Sequence, residues 1–269
     1  MQLRILHRTA YRYEELVKYT AQALRLTPRR EGRQRVLSWG ITAPGRRIEQ
    51  VDAHGNTTHL LTVEDPHREI EIVVSGAVEV AGEGELLAHE GRLSPLAYLA
   101  TTPLTVADEA INTLSKEFLS GDAPIRERLY ALAGGVDERV RYKKGSTSVE
   151  DTAAAAVARG EGVCQDQAHV FISCCRSAGI PARYVSGYLY SGGETGEAAA
   201  SHAWIDAWIG ESKAWLSIDV THREPTGTQH CRLAVGRDYL DAAPVRGVRR
   251  GGGHEMMDVD VTVSKASDQ

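Results

Sequence analysis

Three side chains in the C-terminal half of this sequence have the types and the setting for nucleophilic chemistry. Cys164 follows Gly160-Glu161-Gly162-Val163 and opens a segment, Cys164 to Ala178, that reads as a helix ended by Gly179 and Pro181. A helix N-terminus carries partial positive charge and N–H groups with no intrahelical acceptor. That field favours thiolate over thiol. The same N–H groups can hold the oxyanion that forms when a carbonyl is attacked, and the glycines ahead allow close approach of a substrate to the backbone. A thiolate needs a base that later becomes the acid for the leaving group. His202 opens the strand-like run Ser201-His202-Ala203-Trp204-Ile205-Asp206-Ala207-Trp208, and Asp219 ends the next run, Trp215-Leu216-Ser217-Ile218-Asp219. Adjacent strands can bring that carboxylate to the second imidazole nitrogen, fixing its tautomer and orientation.

Taken singly, each residue has a plainer reading: a small buried hydrophobe for Cys164, a packed imidazole for His202, a turn-capping carboxylate for Asp219. In the order cysteine, histidine, aspartate on helix, strand and strand, the constellation is much more specific. Asp166 either bonds the loop before the helix or faces the cleft. Trp204 shares a strand face with Trp208, as core or as a shield for the charged pair. Tyr142 is a candidate second oxyanion donor, and Gln165, next to the cysteine, joins it as a candidate for oxyanion or substrate contact. Cys174 and Cys175 lie inside the helix and read as core, as His169 reads as structural. His222, His230 and Cys231 read as a solvated loop. They lack the C-x-x-C or H-x-x-x-H spacing of a zinc site.

The elements that must position these residues follow from periodicity. Arg35 to Ile41, Arg47 to Val51, Thr57 to Val63 and Glu69 to Val80 read as strands, with Asp52 to Asn56 as a hairpin loop and a break at Gly82-Glu83-Gly84. Ala107, Ile111, Leu114 and Phe118 recur at helical spacing. So do Ile125, Leu129, Leu132, Val136 and Val140, behind Asp122 as N-cap and Pro124. A short helix, capped by Thr147 or Ser148, runs to about Ala158. Ala182 to Tyr190, Ser201 to Ile209 and Ala214 to Asp219 read as strands, with a glycine loop at Gly192, Gly193 and Gly196, and Met256 to Val263 as a strand closing that sheet. The fold class is α+β.

Composition narrows the function. The chain has 269 residues, 42% hydrophobic and 25% charged, with net charge −5 and pI about 6.1. No basic excess marks a nucleic-acid binder, and the five arginines between Arg25 and Arg35 read as a solvated loop or strand edge. No apolar run has the roughly 20 residues of a membrane helix, and the start lacks a secretory h-region. Four cysteines make no disulfide scaffold, so a reducing cytoplasm is the expected compartment.

The quoted motifs resemble those of bacterial transglutaminase-like proteins. Gly162 to His169 is similar to the family's nucleophile motif, Cys175 to Tyr188 to the segment after it, and Ser201-His202-Ala203-Trp204 and Trp215 to Asp219 to its histidine and aspartate motifs. Gly236-Arg237-Asp238-Tyr239 with Pro244-Val245-Arg246-Gly247 resembles its C-terminal stretch. His7 to Tyr13 and Asp52 to Asn56 resemble the β-rich domain that precedes the core in one bacterial branch. Val220 stands where the family often has proline. The resemblance implies a papain-like catalytic core over 96–269 behind a β-rich domain over 1–95. It also implies a Cys164-His202-Asp219 triad working through a thioester on a peptide or protein substrate. Many members look like proteases or amidases. The alternatives are an amine-incorporating transglutaminase and a noncatalytic peptide-binding relative. No D-x-D-x-D-G loop offers a calcium site, so no metal or cofactor is expected.

Overall fold

The computed structural model describes residues 1–31, 33–82, 86–91, 93–192 and 201–266. Its first half builds one sheet from β1 (Gln2–Leu24), β2 (Gln34–Thr42), β3 (Arg46–Val51), β4 (Thr57–Val63) and β5 (His67–Val80). The last four match the strands expected from alternation. β1 was not anticipated from its own pattern. Its side chains nonetheless alternate, with Leu3, Ile5 and His7 buried and Arg4, Leu6 and Arg12 exposed. Its 23 residues let it pair with β5 and β4 and with both C-terminal strands.

The second half runs through β6 (Leu86–Ala88), α1 (Glu109–Leu119), α2 (Ile125–Arg139), β7 (Arg141–Tyr142), α3 (Ala153–Arg159), β8 (Glu161–Gly162) and α4 (Cys164–Ser177). It continues as β9 (Ala182–Leu189), β10 (Ser201–Ile209), β11 (Ala214–Asp219), β12 (Glu224–Pro225), β13 (His230–Gly236), α5 (Tyr239–Ala242), β14 (Val245–Gly251) and β15 (Glu255–Lys265). The second sheet has the order β12-β11-β10-β9-β13, with β6 added to β11. α4 packs on it: Val170, Phe171 and Ile172 are fully buried with Ile205, Leu216 and Ile218 of the sheet and Leu129, Leu132 and Val136 of α2. Each such side chain contributes about 1.5–3 kcal/mol by leaving water. The fold is therefore α+β, as expected.

Local signals misassigned some ends. Pro124, not Asp122, stands at the N-cap of α2. Thr152 caps α3 through the Ala155 N–H at 3.2 Å, in place of Thr147 or Ser148. Gly179 does end α4, with φ of 74°. The run Met256 to Val263 is a strand, but β15 pairs with β1 in the first sheet rather than closing the second, and β14 also adds to β1. Gly193 and Gly196 of the expected loop, and Glu83 and Gly84 of the expected break, lie outside the described residues.

The two sheets share a core of Leu3, Ile5, Val78 and Val80 with Tyr188, Cys231 and Leu233. Beside it runs a buried ionic chain. Arg183 donates to Asp206 at 2.7 Å, Arg232 donates to Asp206 at 2.5 Å, and Arg232 also pairs with Glu31. The arginine-rich stretch is a solvated loop or strand edge only in part: Arg30 and, on the edge strand β2, Arg35 are exposed, whereas two others turn inward. Arg25 bonds Asp52 at 3.1 Å, and Arg29 bonds Glu31 at 3.0 Å and Asn56 at 2.6 Å, all largely buried. No helix among the described residues is long and apolar enough to cross a membrane.

Candidate active site

Cys164 is the first residue of α4, after the turn that starts at Gly160, where φ is 77°. β7 and β8 pair in parallel, Tyr142 opposite Gly162, and hold that turn. Asp166 locks it: its Oδ2 accepts the Val163 N–H at 2.7 Å and the Thr147 hydroxyl at 2.7 Å. A Cβ on Gly162 would lie 2.7 Å from the Asp166 Cβ, so only glycine fits there. Asp166 is buried and serves the loop, which decides between its two expected roles. Burial raises its carboxyl, partly opposed by those two hydrogen bonds. The Cys164 and Gln165 N–H groups, in the first turn, have no i−4 carbonyl to bond and remain available to an oxyanion.

His202 faces the cysteine from β10, opposite Gly187 of β9. That glycine is required, because a Cβ there would come within 2.3 Å of the Trp204 ring. The His202 Nε2–H donates to Asp219 Oδ2 at 2.8 Å, and the side chain shares the cleft with Cys164, close enough for the sulfur to act on the imidazole. Burial by itself pulls the imidazole down most strongly. The hydrogen bond to Asp219, with the nearby Cys164 sulfur and the charges of both groups, outweighs it and holds His202 up at about 10. The structure thus brings Cys164, His202 and Asp219 together as a connected set.

Asp219 has two further partners that the loop reading of the sequence missed. His222 donates from Nδ1 to the same Oδ2 at 2.8 Å, and its backbone N–H reaches Oδ1 at 3.2 Å. His230, on β13 and 2% exposed, approaches Oδ2 with Nε2 at 3.0 Å. The Gly227 N–H donates to His230 Nδ1 at 3.1 Å. A backbone N–H can only donate, so Nδ1 carries the lone pair and Nε2 carries the proton. His230 is therefore a fixed donor to Asp219. Burial pushes the Asp219 carboxyl up, but the hydrogen bonds from His202, His222 and His230 overcome it and hold the group well below the usual carboxylate range. His222 is raised, first by its bond to Asp219. The strand alternation of His230-Cys231-Arg232-Leu233 was the available signal for His230. Cys231 is buried beside it.

The ligand atoms of His202, Asp219 and His230 lie within 4.8 Å of one another. A metal on His230 Nε2 would need the lone pair there and the proton on Nδ1, against the Gly227 N–H. The donor set suits an anchored carboxylate better than a cation.

The remaining candidates divide. Gln165 lines the cleft, but its side-chain amide donates to the Val149 carbonyl at 3.2 Å. Tyr142 is 43% exposed. Its phenol is raised, first by burial and then by the charge of Cys164, which puts it near the nucleophile though not on the cleft wall. Trp204 is buried with its ring 6.1 Å from that of His202 and 5.2 Å from that of His230, so it packs behind the pair. Asp206, on the same strand as His202, is committed to Arg183 and Arg232. His169 is buried, accepts the Tyr239 N–H at 3.1 Å, and is pushed down to about 3 chiefly by burial. Cys174 and Cys175 are core, and burial drives both thiols up, Cys174 to about 12. A cleft of about 260 Å³ opens over Cys164 and His202.

Two family models match this chain. The transglutaminase-like superfamily core covers residues 112–220, and the bacterial transglutaminase-like N-terminal region covers residues 3–79. An uncharacterized protein of Mycobacterium leprae is 32% identical over 281 residues, covering 98% of each chain. A protein-glutamine gamma-glutamyltransferase of Pseudomonas aeruginosa is 36% identical over 104 residues, covering 34% of this chain and 15% of its own. The crystal structure of a candidate cysteine protease from Cytophaga hutchinsonii superposes with a TM-score of 0.78 at 21% identity, over 100% of this chain and 92% of its own. That likeness extends the shared papain-like fold, with its N-terminal β region, to the whole molecule.

Proposed function

Given that the chain belongs to the transglutaminase-like superfamily, we propose that it is a cysteine-dependent acyl-transfer enzyme that hydrolyses peptide or glutamine amide bonds. The observation that carries this reading is the imidazole of His202, set in one cleft with Cys164 and hydrogen-bonded behind to Asp219 at 2.8 Å. In the proposed reaction the Cys164 sulfur attacks the amide carbonyl carbon, and the carbonyl electron pair moves to oxygen, held by first-turn N–H groups of α4. His202 gives its proton to the departing nitrogen as the C–N bond breaks, which leaves a thioester on Sγ. Water then attacks the thioester, His202 takes its proton, and the C–S bond breaks to release the acid and the thiolate. Asp219 holds the imidazole in the productive tautomer throughout.

An amine in place of water would make the product a new amide. The similarity to a gamma-glutamyltransferase over a third of the chain keeps that reading open as the second one. One experiment separates them. A peptide library and a glutamine-rich protein are incubated with the enzyme and a labelled amine, and new N-termini, ammonia and incorporated label are measured. Hydrolysis predicts new N-termini or ammonia without label, and transfer predicts label with ammonia. Cys164→Ala should abolish either while circular dichroism and melting stay near wild type. Full turnover by that variant would remove the mechanism. A noncatalytic role would instead be indicated by a Cys164 that resists alkylation at mildly acidic pH, where an ordinary thiol is protonated.

A further inference from the structure

One wall of the cleft comes from the first sheet. The face of β1 that looks toward the second sheet carries Leu3, Ile5, His7, Thr9 and Tyr11, all buried. Antiparallel pairing places Val263 opposite Ile5, Val261 opposite His7, Val259 opposite Thr9 and Met257 opposite Tyr11. At one end of these two rows Leu3, Ile5, Val261 and Val263 pack against Tyr188 and Leu233 of the second sheet. Further along, His7, Thr9, Tyr11, Val259 and Met257 become lining of the cleft that holds Cys164 and His202. Met257 is 60% exposed and Val259 45%, so apolar surface stays open to solvent beside the nucleophile.

The chemistry of this wall is uniform. Among the described residues, no Lys, Arg, Asp or Glu lines the cleft. The His7, Thr9 and Ser186 side chains are bonded within the fold, and the uncharged hydroxyls of Tyr11, Tyr184 and Tyr239 add to its polar surface. His7 Nδ1 meets the Tyr188 hydroxyl at 2.7 Å, His7 Nε2 meets Thr9 Oγ1 at 2.9 Å, and the Ser186 hydroxyl donates to the Ala242 carbonyl at 2.7 Å. Burial holds His7 down at about 4, against the pull of Asp260, so the ring adds no charge at neutral pH. Glu255, the next inward position on β15, is bonded to Arg249 at 3.1 Å. A charged group seated on the first-sheet wall would lose its water and find no side chain of opposite charge there, whereas an apolar one gains by burial. The volume of about 260 Å³ lies below the roughly 300 Å³ at which pockets for whole small molecules begin, and suits one large side chain.

We propose that the cleft is the acyl-side specificity pocket of the enzyme and takes an uncharged apolar or aromatic side chain of a peptide, seated against Tyr11, Met257 and Val259 of the first sheet. This rests on the acyl-transfer reading above, and it gives the N-terminal sheet a direct part in choosing the substrate.

The test uses the full-length protein and two kinds of probe. Iodoacetamide, too small to need the pocket, reports on the nucleophile. A series of peptidyl chloromethyl ketones with Phe, Leu, Lys or Glu next to the reactive group reports on the pocket. The Phe and Leu probes should inactivate at least about tenfold faster than Lys and Glu, the scale on which a hydrophobic pocket discriminates. With each rate divided by the same variant's iodoacetamide rate, Val259→Glu should slow the Phe probe and speed the Lys probe. Val259→Ala should slow the Phe probe with no gain for Lys. Equal rates across the four probes, or an unchanged order in Val259→Glu, would overturn the pocket and leave the nucleophile standing. A wild-type Cys164 that iodoacetamide fails to label would overturn the acyl-transfer reading and the pocket with it.

Discussion

His230 offers a sharp test of how the candidate site is held. Three imidazole N–H groups converge on Asp219 Oδ2, at 2.8, 2.8 and 3.0 Å, and His230 supplies the most buried of them. His230→Asn keeps an oxygen near the position of Nδ1, able to accept the Gly227 N–H, but cannot reach Asp219. His230→Gln can put an N–H near the position of Nε2. A hydrogen bond to a charged group is worth about 1.5–3 kcal/mol. If all of that were lost from the transition state, the rate would fall by roughly 10- to 160-fold. His202 and His222 still hold the carboxylate, so the lower end, about tenfold, is expected for His230→Asn. The assay is the second-order rate of Cys164 alkylation by iodoacetamide across pH, paired with kcat and KM on a cleaved peptide. Asn should lower kcat and narrow the acid side of the alkylation profile, with KM little changed, and Gln should recover most of the loss. An Asn variant with the wild-type profile, or a Gln variant no better than Asn, would refute the idea that His230 positions Asp219.

Other expectations follow from the same geometry. Asp219→Asn should cut single-turnover rates severely, and His202→Ala more so, since it removes both the proton acceptor and the later donor; equal activity of wild type and Asp219→Asn would exclude Asp219 as the orienting residue. Asp206 is no substitute for it, being tied to Arg183 and Arg232. His202 has a folded-state pKa of about 10, above its ordinary 6.5. Its stabilising contribution is therefore full below about pH 6.5 and lost as pH rises through 10, so the melting difference between wild type and His202→Ala should shrink over that window. Arg232→Met leaves Glu31 with Arg29 and Asp206 with Arg183 as their remaining partners inside the protein, and should cost up to about 3–5 kcal/mol in urea unfolding; a loss under 1 kcal/mol would show the ionic chain to be dispensable. Activity should survive chelation, and a loss restored by one specific divalent ion would contradict the tautomer assigned to His230.

What the sequence determined by itself is what short stretches of chain can express. The setting of Cys164 depends on a few consecutive residues: the αL turn at Gly160, the glycine at 162 that leaves room for Asp166, and the cap that Asp166 makes three residues on. Helix ends and strand alternation act over a few residues, so the nucleophile's helix and the strands carrying His202 and Asp219 were legible from spacing. Pairings between distant segments were not, because periodicity says which face is apolar but not what lies against it. Only the tertiary structure joined β14 and β15 to β1, roughly 220 to 260 residues back, and so set Met257 and Val259 over the cleft. Only it turned Glu31 and Arg29 inward. The same holds for Asp219: its partners at 202 and 230 come from two strands separated by β9 in the sheet, and a polar stretch reads as loop until a buried carboxylate is found to need its donors.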